Sequence, residues 1–465
     1  MAGLITSLHT GASGLYTSQT AVQVTGNNIA NASTAGYSRQ VASIVSTTPL
    51  TSGGLTYGSG SAVDAIDRAG DSFIVQQLVA QSAAYGAYQA ASTPLADIER
   101  IIDIGDSGLA GDIDSFFDAW EELSTNPSGT AERQQVLQEA GNLADHFHQI
   151  DQQLTEVVYG INTSIESTVP DLNNQLSQIA TLNQSIMQTE LVGGDANTLR
   201  DQRDLLVQQV SETCGATIST DGNGMVCLQL QNGLPLVTGN VASSFATTKV
   251  DGLTQISLTS GTTSYALAHD DFSGTLGGLL TTRDVTIPQF QNDIDRLAYT
   301  LATDVNTLIT TSGGIDQNGD AATDLFALTA PADPLADAWD GAAASISVAI
   351  DNVALLAAGT TGTTADNSLC LSIAALRDTT AIDGATYGEE YARIAAKAGL
   401  LVSNNEGRLT ASSDTLDELS AKRDAIAGVS TDEEMILLIQ YQAGYQAASN
   451  YLATVKEMLD ILMQL

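Results

Sequence analysis

The sequence is short of the residues that nucleic-acid binding, metal scaffolds and membrane insertion require. It has 16 basic residues against 54 acidic ones, which argues against nucleic acid or an anionic bilayer as a partner. Its three cysteines, Cys214, Cys227 and Cys370, have no metal-binding spacing, and pairing of the first two across a hairpin stays open. No apolar run reaches the roughly 18 residues of a membrane span. We therefore expect no nucleic-acid partner and no membrane insertion.

Aromatic residues and early charges are also scarce. Aromatic side chains make up 5% of the chain although 43% of its residues are hydrophobic, which favours helices with narrow apolar seams. The first 38 of the 465 residues contain no Lys, Arg, Asp or Glu, so the basic start of a cleavable secretory signal is missing. The length suits two to four domains.

Catalytic and metal-binding motifs are likewise missing. The sequence contains no nucleophile elbow, zinc-protease motif or phosphate-binding loop, and its four histidines form no acid–base pair with the scattered acids. The run from Asp316 to Asp320 resembles the start of a calcium loop, but Ala321 and Ala327 stand where that loop needs Gly and Glu. We therefore expect no enzyme, no metal and no cofactor.

The two chain ends are predicted to be long helices. Near the N-terminus, from about Leu4 to Ile29, apolar residues recur every seven positions. At the C-terminus two seams run in parallel, and Ser430 with Glu433 forms a capping box that predicts a helix start near Thr431. The N-terminal seam consists of Leu8, Leu15, Val22 and Ile29; the C-terminal seams consist of Leu438, Tyr445, Leu452 and Leu459, and of Tyr441, Ala448, Val455 and Leu462.

Between the ends, the pattern predicts long helices with inserted β segments. Seven-residue spacing recurs in 165–186 and 287–308, whereas 214–270 and 341–375 are rich in Thr, Val and Gly and predict strands. The fold class is therefore mainly α with inserted β. The predicted segments are an N-terminal helix and loop at 1–45, a helical domain at 46–213 and 271–325, a β-rich segment at 214–270, a β-rich or irregular outer segment at 326–385, return helices at 386–429 and the C-terminal heptad helix at 430–465.

The terminal seams have two interpretations. They could form an ordinary coiled-coil hairpin within one subunit, or they could pair with each other and also with neighbouring copies. An uncharged helix suits the second interpretation, because like charges at about 4 Å in a partly buried setting repel by about 4 kcal/mol. In a repeating assembly that cost would recur in every subunit.

Both ends carry a specific family resemblance. "SGLYTSQTAVQVTGNNIANASTAGYSRQ" and "GVSTDEEMILLIQYQAGYQAASNYLATVKEMLDILMQL" resemble the terminal signatures of bacterial flagellar axial proteins, the rod, hook and hook-associated proteins. "GYSRQ" is similar to the hook-associated members, and "NTLRDQRDLLVQQVSE" resembles their helical domain. Residues 326–385 match no pattern in the family, and the chain leaves little room for a large outer insertion.

The resemblance assigns assembly roles to six residues of the N-terminal signature. The amides of Asn27, Asn28 and Asn31 would bridge neighbouring helices without charge, and Gly36 would supply a turn with positive φ. Tyr37 would pack its ring, while Arg39 would bind a carboxylate of a neighbouring subunit or domain.

The resemblance also implies an architecture and partners. It implies long terminal coiled-coil helices, a central elongated helical rod domain and a smaller β-rich outer domain. Its implied function is a structural ring at the hook–filament junction, in contact with hook protein below and, above, a second junction protein (hook-associated protein 3) and through it the filament. A cytoplasmic export chaperone would bind the C-terminal heptads, and the chain would reach the extracellular flagellum without a cleavable signal. The alternatives are a hook or distal-rod protein, and, from another class, a secreted acidic adhesin.

Overall fold

Two terminal helices lie side by side and bring the chain ends together. The computed structural model describes residues 2–52, 54–103, 105, 108–222, 224–333 and 335–464. Helix α1 spans Ala2–Ala30, and the last helix spans Thr431–Gln464 and starts where the sequence predicted. The Glu433 backbone N–H donates to Ser430 Oγ at 3.4 Å, which supplies one half of the predicted capping box.

A β hairpin follows α1 in a region where the sequence predicted no strands. Its strands are β1 (Gln40–Ser46), β2 (Leu50–Ser52), β3 (Leu55–Tyr57) and β4 (Ser61–Arg68). Strands β1 and β4 pair antiparallel from Gln40 opposite Arg68 to Ser46 opposite Ser61, with a bulge after Ser43. The prediction of only two strand regions was therefore wrong. Apolar residues do not alternate cleanly here, and the hairpin gains its covered face only by lying on α1.

Long helices build the centre of the molecule. They are α2 (Ser72–Ile101), α3 (Leu109–Thr125), α4 (Thr130–Leu191), α5 (Asn197–Cys214), α6 (Gly274–Thr281), α7 (Ile287–Thr311) and, after a long insertion, a helix at Tyr387–Ala427. Pro170 lies inside the 62-residue α4 without ending it. A π-helical turn at Thr282–Thr286 joins α6 to α7 and places Pro288 in the first turn of α7.

Two antiparallel sheets occupy the predicted 214–270 segment. The strands are β5 (Thr217–Thr220), β6 (Val226–Gln229), β7 (Pro235–Thr238), β8 (Val241–Ala242), β9 (Ser244–Val250), β10 (Leu253–Ser260) and β11 (Thr263–Leu267). The first sheet has the order β5-β6-β7-β8 and the second has the order β11-β10-β9. Both lie against α4, where Asn173 and Asn183 bond to strand backbone at Phe245 and Val226. With its long helices and smaller strand-rich region, the structure confirms the predicted fold class.

The 326–385 segment is not β-rich. It contains one short strand pair, a few helical turns and loops: β12 (Phe326–Ala327), α8 (Ala342–Ser345), β13 (Ser347–Val348) and α9 (Ser368–Ala374). After this segment, α10 (Tyr387–Ala427) and α11 (Thr431–Gln464) complete the chain. Side chains satisfy much of the segment's backbone instead: Asn306 accepts from the N–H groups of Leu325 and Phe326. Because Phe326 and Ile346 are fully buried, this segment is packed onto the helices rather than held apart as an outer domain.

The apolar core divides the molecule into two parts. We call residues 2–68 with 431–464 the terminal unit, and residues 72–427 the body. The large cluster of buried apolar residues runs through the body alone, and so does a small second cluster around Ile74 and Leu419. In the described part of the terminal unit, the buried apolar side chains are Ala21, Val24, Tyr37 and Val455. The terminal unit therefore has a thin core of its own.

One buried carboxylate in the body predicts a pH dependence of stability. Asp295 is 8% exposed and accepts the N–H groups of Gly341 and Ala343 at 3.0 and 2.8 Å. Burial raises the pKa of Asp295 from 3.8 to about 6. Because the folded state holds this proton more tightly than the unfolded state, the stabilisation is present at low pH and is lost as pH rises through 6.

We expect Asp295 to lower the free energy of unfolding by about 1 kcal/mol between pH 5 and pH 7. Urea unfolding at a series of pH values in this range, on the native chain and on Asp295→Asn, measures the free energy of unfolding. In the variant, this free energy should fall by about 1 kcal/mol less between pH 5 and pH 7 than in the native chain. Asp171→Asn, on the exposed surface of α4, is the charge-matched control. If the free energy of unfolding depends on pH equally in the native chain and in Asp295→Asn, Asp295 is not the group responsible.

Candidate assembly site at the chain termini

Helices α1 and α11 run antiparallel and meet at small residues. A Cβ placed on Gly11 would lie 2.8 Å from Tyr451 and 2.9 Å from Leu452, so any larger residue would push these side chains away. Further along, a Cβ on Gly14 would lie 3.7 Å from the Cβ of Ala448. The glycines that weaken α1 as an isolated helix therefore allow it to pack against α11.

The predicted N-terminal seam is only partly covered in the single chain. Leu8 is exposed, while Leu15, Val22 and Ile29 are half-buried. Among the residues of α1 whose burial is described, the buried ones are instead Gly11, Thr17, Ala21, Val24, Thr25 and Asn28. Sequence spacing did not identify this face, because its small and polar residues carry little hydrophobic signal. That these four predicted residues contact neighbouring copies of the chain in an assembly stays a prediction.

The C-terminal seams are covered unevenly. Val455 is buried, and Leu438, Tyr441, Ala448, Leu452 and Leu459 are half-buried, whereas Tyr445 and Leu462 are exposed. Further apolar side chains of α11 point into solvent: Met435, Ile436, Ile439, Tyr451, Met458, Ile461 and Met463. Helix α1 therefore covers one side of α11 and leaves a long apolar surface, which we call the α11 outer face.

A buried asparagine links α1, β1 and α11. Asn28 is 1% exposed, and its Nδ2 donates to Gln40 O at 2.8 Å and to Glu434 Oε2 at 3.0 Å. Its Oδ1 accepts from the Tyr37 hydroxyl at 2.9 Å and from the Gln40 N–H at 3.0 Å. These four bonds use the full capacity of the amide. Of the three predicted asparagines, Asn28 is the one that bridges to the other terminal helix.

The other two asparagines bond locally. Asn31 Nδ2 donates to Asn27 O and Oδ1, both at 3.0 Å, and Asn27 Nδ2 donates to the Tyr37 hydroxyl at 3.2 Å. The predicted bridging of neighbouring helices by Asn27 and Asn31 is therefore not present within the chain. Gly36 has φ of +77°, as the sequence predicted, and sits against Leu205 of α5.

Arg39 finds its carboxylate within its own chain. Arg39 Nε lies 2.7 Å from Glu434 Oε1, and Glu434 is 1% exposed. Sequence reasoning missed this contact, since nothing local relates two residues so far apart. Burial, with the nearby carboxylates of Asp201 and Glu434, raises the pKa of Tyr37 to about 12, which keeps its hydroxyl protonated as a donor to Asn28.

A double substitution tests the α1–α11 pairing directly. Disulfides form readily at Cβ–Cβ separations of about 3.8 Å, and residues 14 and 448 have this spacing. We expect Gly14→Cys/Ala448→Cys to form an intrachain disulfide in near-quantitative yield, measured by thiol titration and by a mobility shift on non-reducing gels. Gly26→Cys/Ala448→Cys is the control, since Gly26 has no neighbour near its Cβ position. Cross-linking only between chains would contradict pairing within one chain.

The cysteines, the acidic and histidine side chains and the helix hydropathy of the described residues bear on the remaining sequence-based expectations. All three cysteines are free, so Cys214 and Cys227 do not pair. Among the described residues, no group of three or more His, Cys, Asp or Glu side chains is placed to hold a metal ion. No helix in the described ranges combines the length and hydropathy needed to cross a membrane.

Three family models match this chain. The flagellar hook-associated protein FlgK helical domain matches residues 95–326. The C-terminal model of flagellar basal body rod FlgEFG protein matches residues 425–465, and the flagella basal body rod protein model matches residues 8–37. None of these three models extends over residues 327–424, which include the segment where the sequence resembled no pattern in the family.

Curated relatives and a solved structure agree with these models. Flagellar hook-associated protein 1 of Bacillus subtilis is 28% identical over 99% of this chain and 98% of its own length. The protein of that name from Escherichia coli is 31% identical over 69% of this chain and 59% of its own length, so the chain spans about three fifths of that relative. The flagellar hook junction protein FlgK from Burkholderia pseudomallei, at 17% identity, shares the fold with a TM-score of 0.68 over 76% of this chain and 100% of that one. The chain belongs to the flagellar hook-associated protein 1 family.

Proposed function

We propose that the chain is a structural subunit of the bacterial flagellum, which assembles as a ring between hook and filament. The observation that carries the proposal is the α11 outer face, an apolar surface on the helix whose other side is already held by α1. Long exposed apolar surfaces on soluble chains mark interaction sites. Copies of the terminal unit pack around one axis by covering this face.

The charge distribution supports contact between identical copies. Helix α1 contains no Lys, Arg, Asp or Glu, and the most buried carboxylate of α11, Glu434, is neutralised by Arg39 of the same chain. Contacts between copies that are made through α1 therefore bring no like charges together at short range. The chain acts through assembly rather than catalysis, and it takes no cofactor.

The same proposal sets the partners and the location. The ring contacts hook protein on one side and, on the other, the second junction protein (hook-associated protein 3) and through it the filament. The chain is exported by the flagellar export apparatus without a cleavable signal and is extracellular once assembled. The helical body surrounds the inner tube of terminal units.

Immunogold labelling of intact cells tests the location. We expect label in one narrow band at the hook–filament boundary, and its loss in a deletion strain that sheds its filaments. Label along the whole hook would favour a hook or rod protein, and label over the cell surface would favour an adhesin. Either of these patterns would overturn the proposal.

A cytoplasmic chaperone is expected to bind α11 before export, with Leu438, Tyr445, Leu452 and Leu459 as anchors in a helix-binding groove. Since α1 half-buries three of these residues, chaperone binding and α1–α11 pairing compete. A chain ending at residue 430 should lose chaperone binding in a pull-down. The oxidised Gly14→Cys/Ala448→Cys chain should bind weakly and recover on reduction. Unchanged binding of the truncated chain would contradict this expectation.

A further inference from the structure

The terminal unit and the body are joined by two short linkers that lie next to each other. Residues 69–71 connect β4 to α2, and residues 428–430 connect α10 to α11. The backbone of Arg39 ties the two linkers together: its N–H donates to Ala427 O at 2.7 Å, and its carbonyl accepts the Ala69 N–H at 2.8 Å. Two adjacent linkers define a hinge rather than a broad attachment.

No buried apolar cluster spans this hinge among the described residues. The body's clusters contain no residue of the terminal unit. The two parts therefore share no buried apolar core of the kind that makes an interdomain interface rigid. What fixes their relative orientation must be the polar contacts across the joint.

Those polar contacts converge on one face of α5 and the turn before it. Asp201 Oδ1 lies 3.0 Å from Arg68 Nη1, and its Oδ2 accepts the Ser38 N–H at 3.1 Å. Asp204 Oδ2 lies 2.7 Å from the same Arg68 nitrogen. Just before α5, Asp195 accepts the Ile66 N–H at 3.0 Å, and Asn197, the first residue of α5, donates to Ile66 O.

Room for movement lies directly beside these contacts. A pocket of about 420 Å³ opens where the terminal unit meets the body, lined by Gly36 and Arg68 of the terminal unit and by Val75, Leu205 and Arg423 of the body. Closely packed interfaces leave few voids of this size. If the ion pairs of Arg68 break and the neighbouring hydrogen bonds at Ser38 and Ile66 open with them, the terminal unit can rotate about the two linkers without displacing a packed core.

We propose that Arg68, Asp201 and Asp204 form an ionic latch that sets the angle between the terminal unit and the body. With the latch closed, the two parts hold one orientation. With it open, they sample a range of orientations about the linkers at 69–71 and 428–430. Salt shifts the equilibrium toward the open form, because dissolved ions screen the attraction between Arg68 and the two carboxylates that holds the latch closed.

Distances between two spin labels on the full chain, measured by double electron–electron resonance, test the latch. Spin labels attach through p-azidophenylalanine in place of Tyr16 on α1 and Tyr159 on α4, side chains that are 69% and 70% exposed. The oxidised Gly14→Cys/Ala448→Cys background keeps the terminal helices paired, so that broadening reports rotation rather than unfolding. We expect one narrow distance at low salt and a distribution about twofold broader at about 1 M NaCl, where the screening length is about 3 Å.

Variants locate the effect. Arg68→Gln, and separately Asp201→Asn/Asp204→Asn, should give the broad distribution already at low salt. Arg200→Gln is the matched control. Arg200 lies on α5, like Asp201 and Asp204, but its ion pair with Glu190 joins two helices of the body and does not cross the hinge. It should leave the distribution narrow. A narrow, unchanged distance in Arg68→Gln, or a broad one in the native latch at low salt, would overturn the proposal.

Discussion

Leu452→Asp should abolish assembly of the chain into flagella while leaving the body folded. Leu452 is half-buried against Gly11 at the α1–α11 contact and lies beside the α11 outer face. A carboxylate there would be buried without a partner in every copy of the interface, whereas truncation of a buried leucine alone typically costs about 2–5 kcal/mol. We expect cells carrying the variant to stop swimming and to release flagellin into the medium, as we also expect of a deletion strain.

Calorimetry of the purified chain completes this test. The body's melting temperature should be unchanged, because its apolar clusters include no residue of the terminal unit. Tyr159→Asp, which places the same charge at an exposed position of α4, should swim normally and melt normally. Normal motility of Leu452→Asp, or a body destabilised by several kcal/mol, would count against an assembly role for α11.

Arg39→Gln is expected to open the terminal unit. The substitution leaves the Glu434 carboxylate, 1% exposed, without its ion-pair partner, and breaking a buried pair in this way costs about 3 kcal/mol. That corresponds to about a hundredfold loss of protection against hydrogen exchange, since each 1.4 kcal/mol is a factor of ten. The loss should appear at residues 24–40 and 431–440, measured by exchange with mass spectrometry.

The double variant Arg39→Gln/Glu434→Gln is the control for this prediction. It removes both charges and keeps an amide that accepts from Asn28, so much of the lost protection should return. Protection in α4, which belongs to the body, should be the same in all three chains. If the single and double variants open equally, the ion pair does not hold the terminal unit together.

The sequence by itself determined the elements whose signals are local. Helix α11 begins at Thr431, as predicted from Ser430, because a capping residue and acidic first-turn side chains act within one helical turn. Seven-residue spacing identified the long helices, and turn-rich segments identified the sheets at 214–270. The terminal signatures indicated the family, and the glycine at position 36 was correctly assigned a positive φ.

Only the tertiary structure decided which residues meet. Glu434 joins Arg39 and Asn28 across nearly the whole chain length, and no local pattern relates them. The strands of residues 40–68 exist because α1 covers one side of the hairpin, and the 326–385 segment stays irregular because side chains such as Asn306 satisfy its backbone. The face that α1 turns to α11 is set by how closely two backbones can approach at Gly11, a steric property that hydrophobic periodicity does not record.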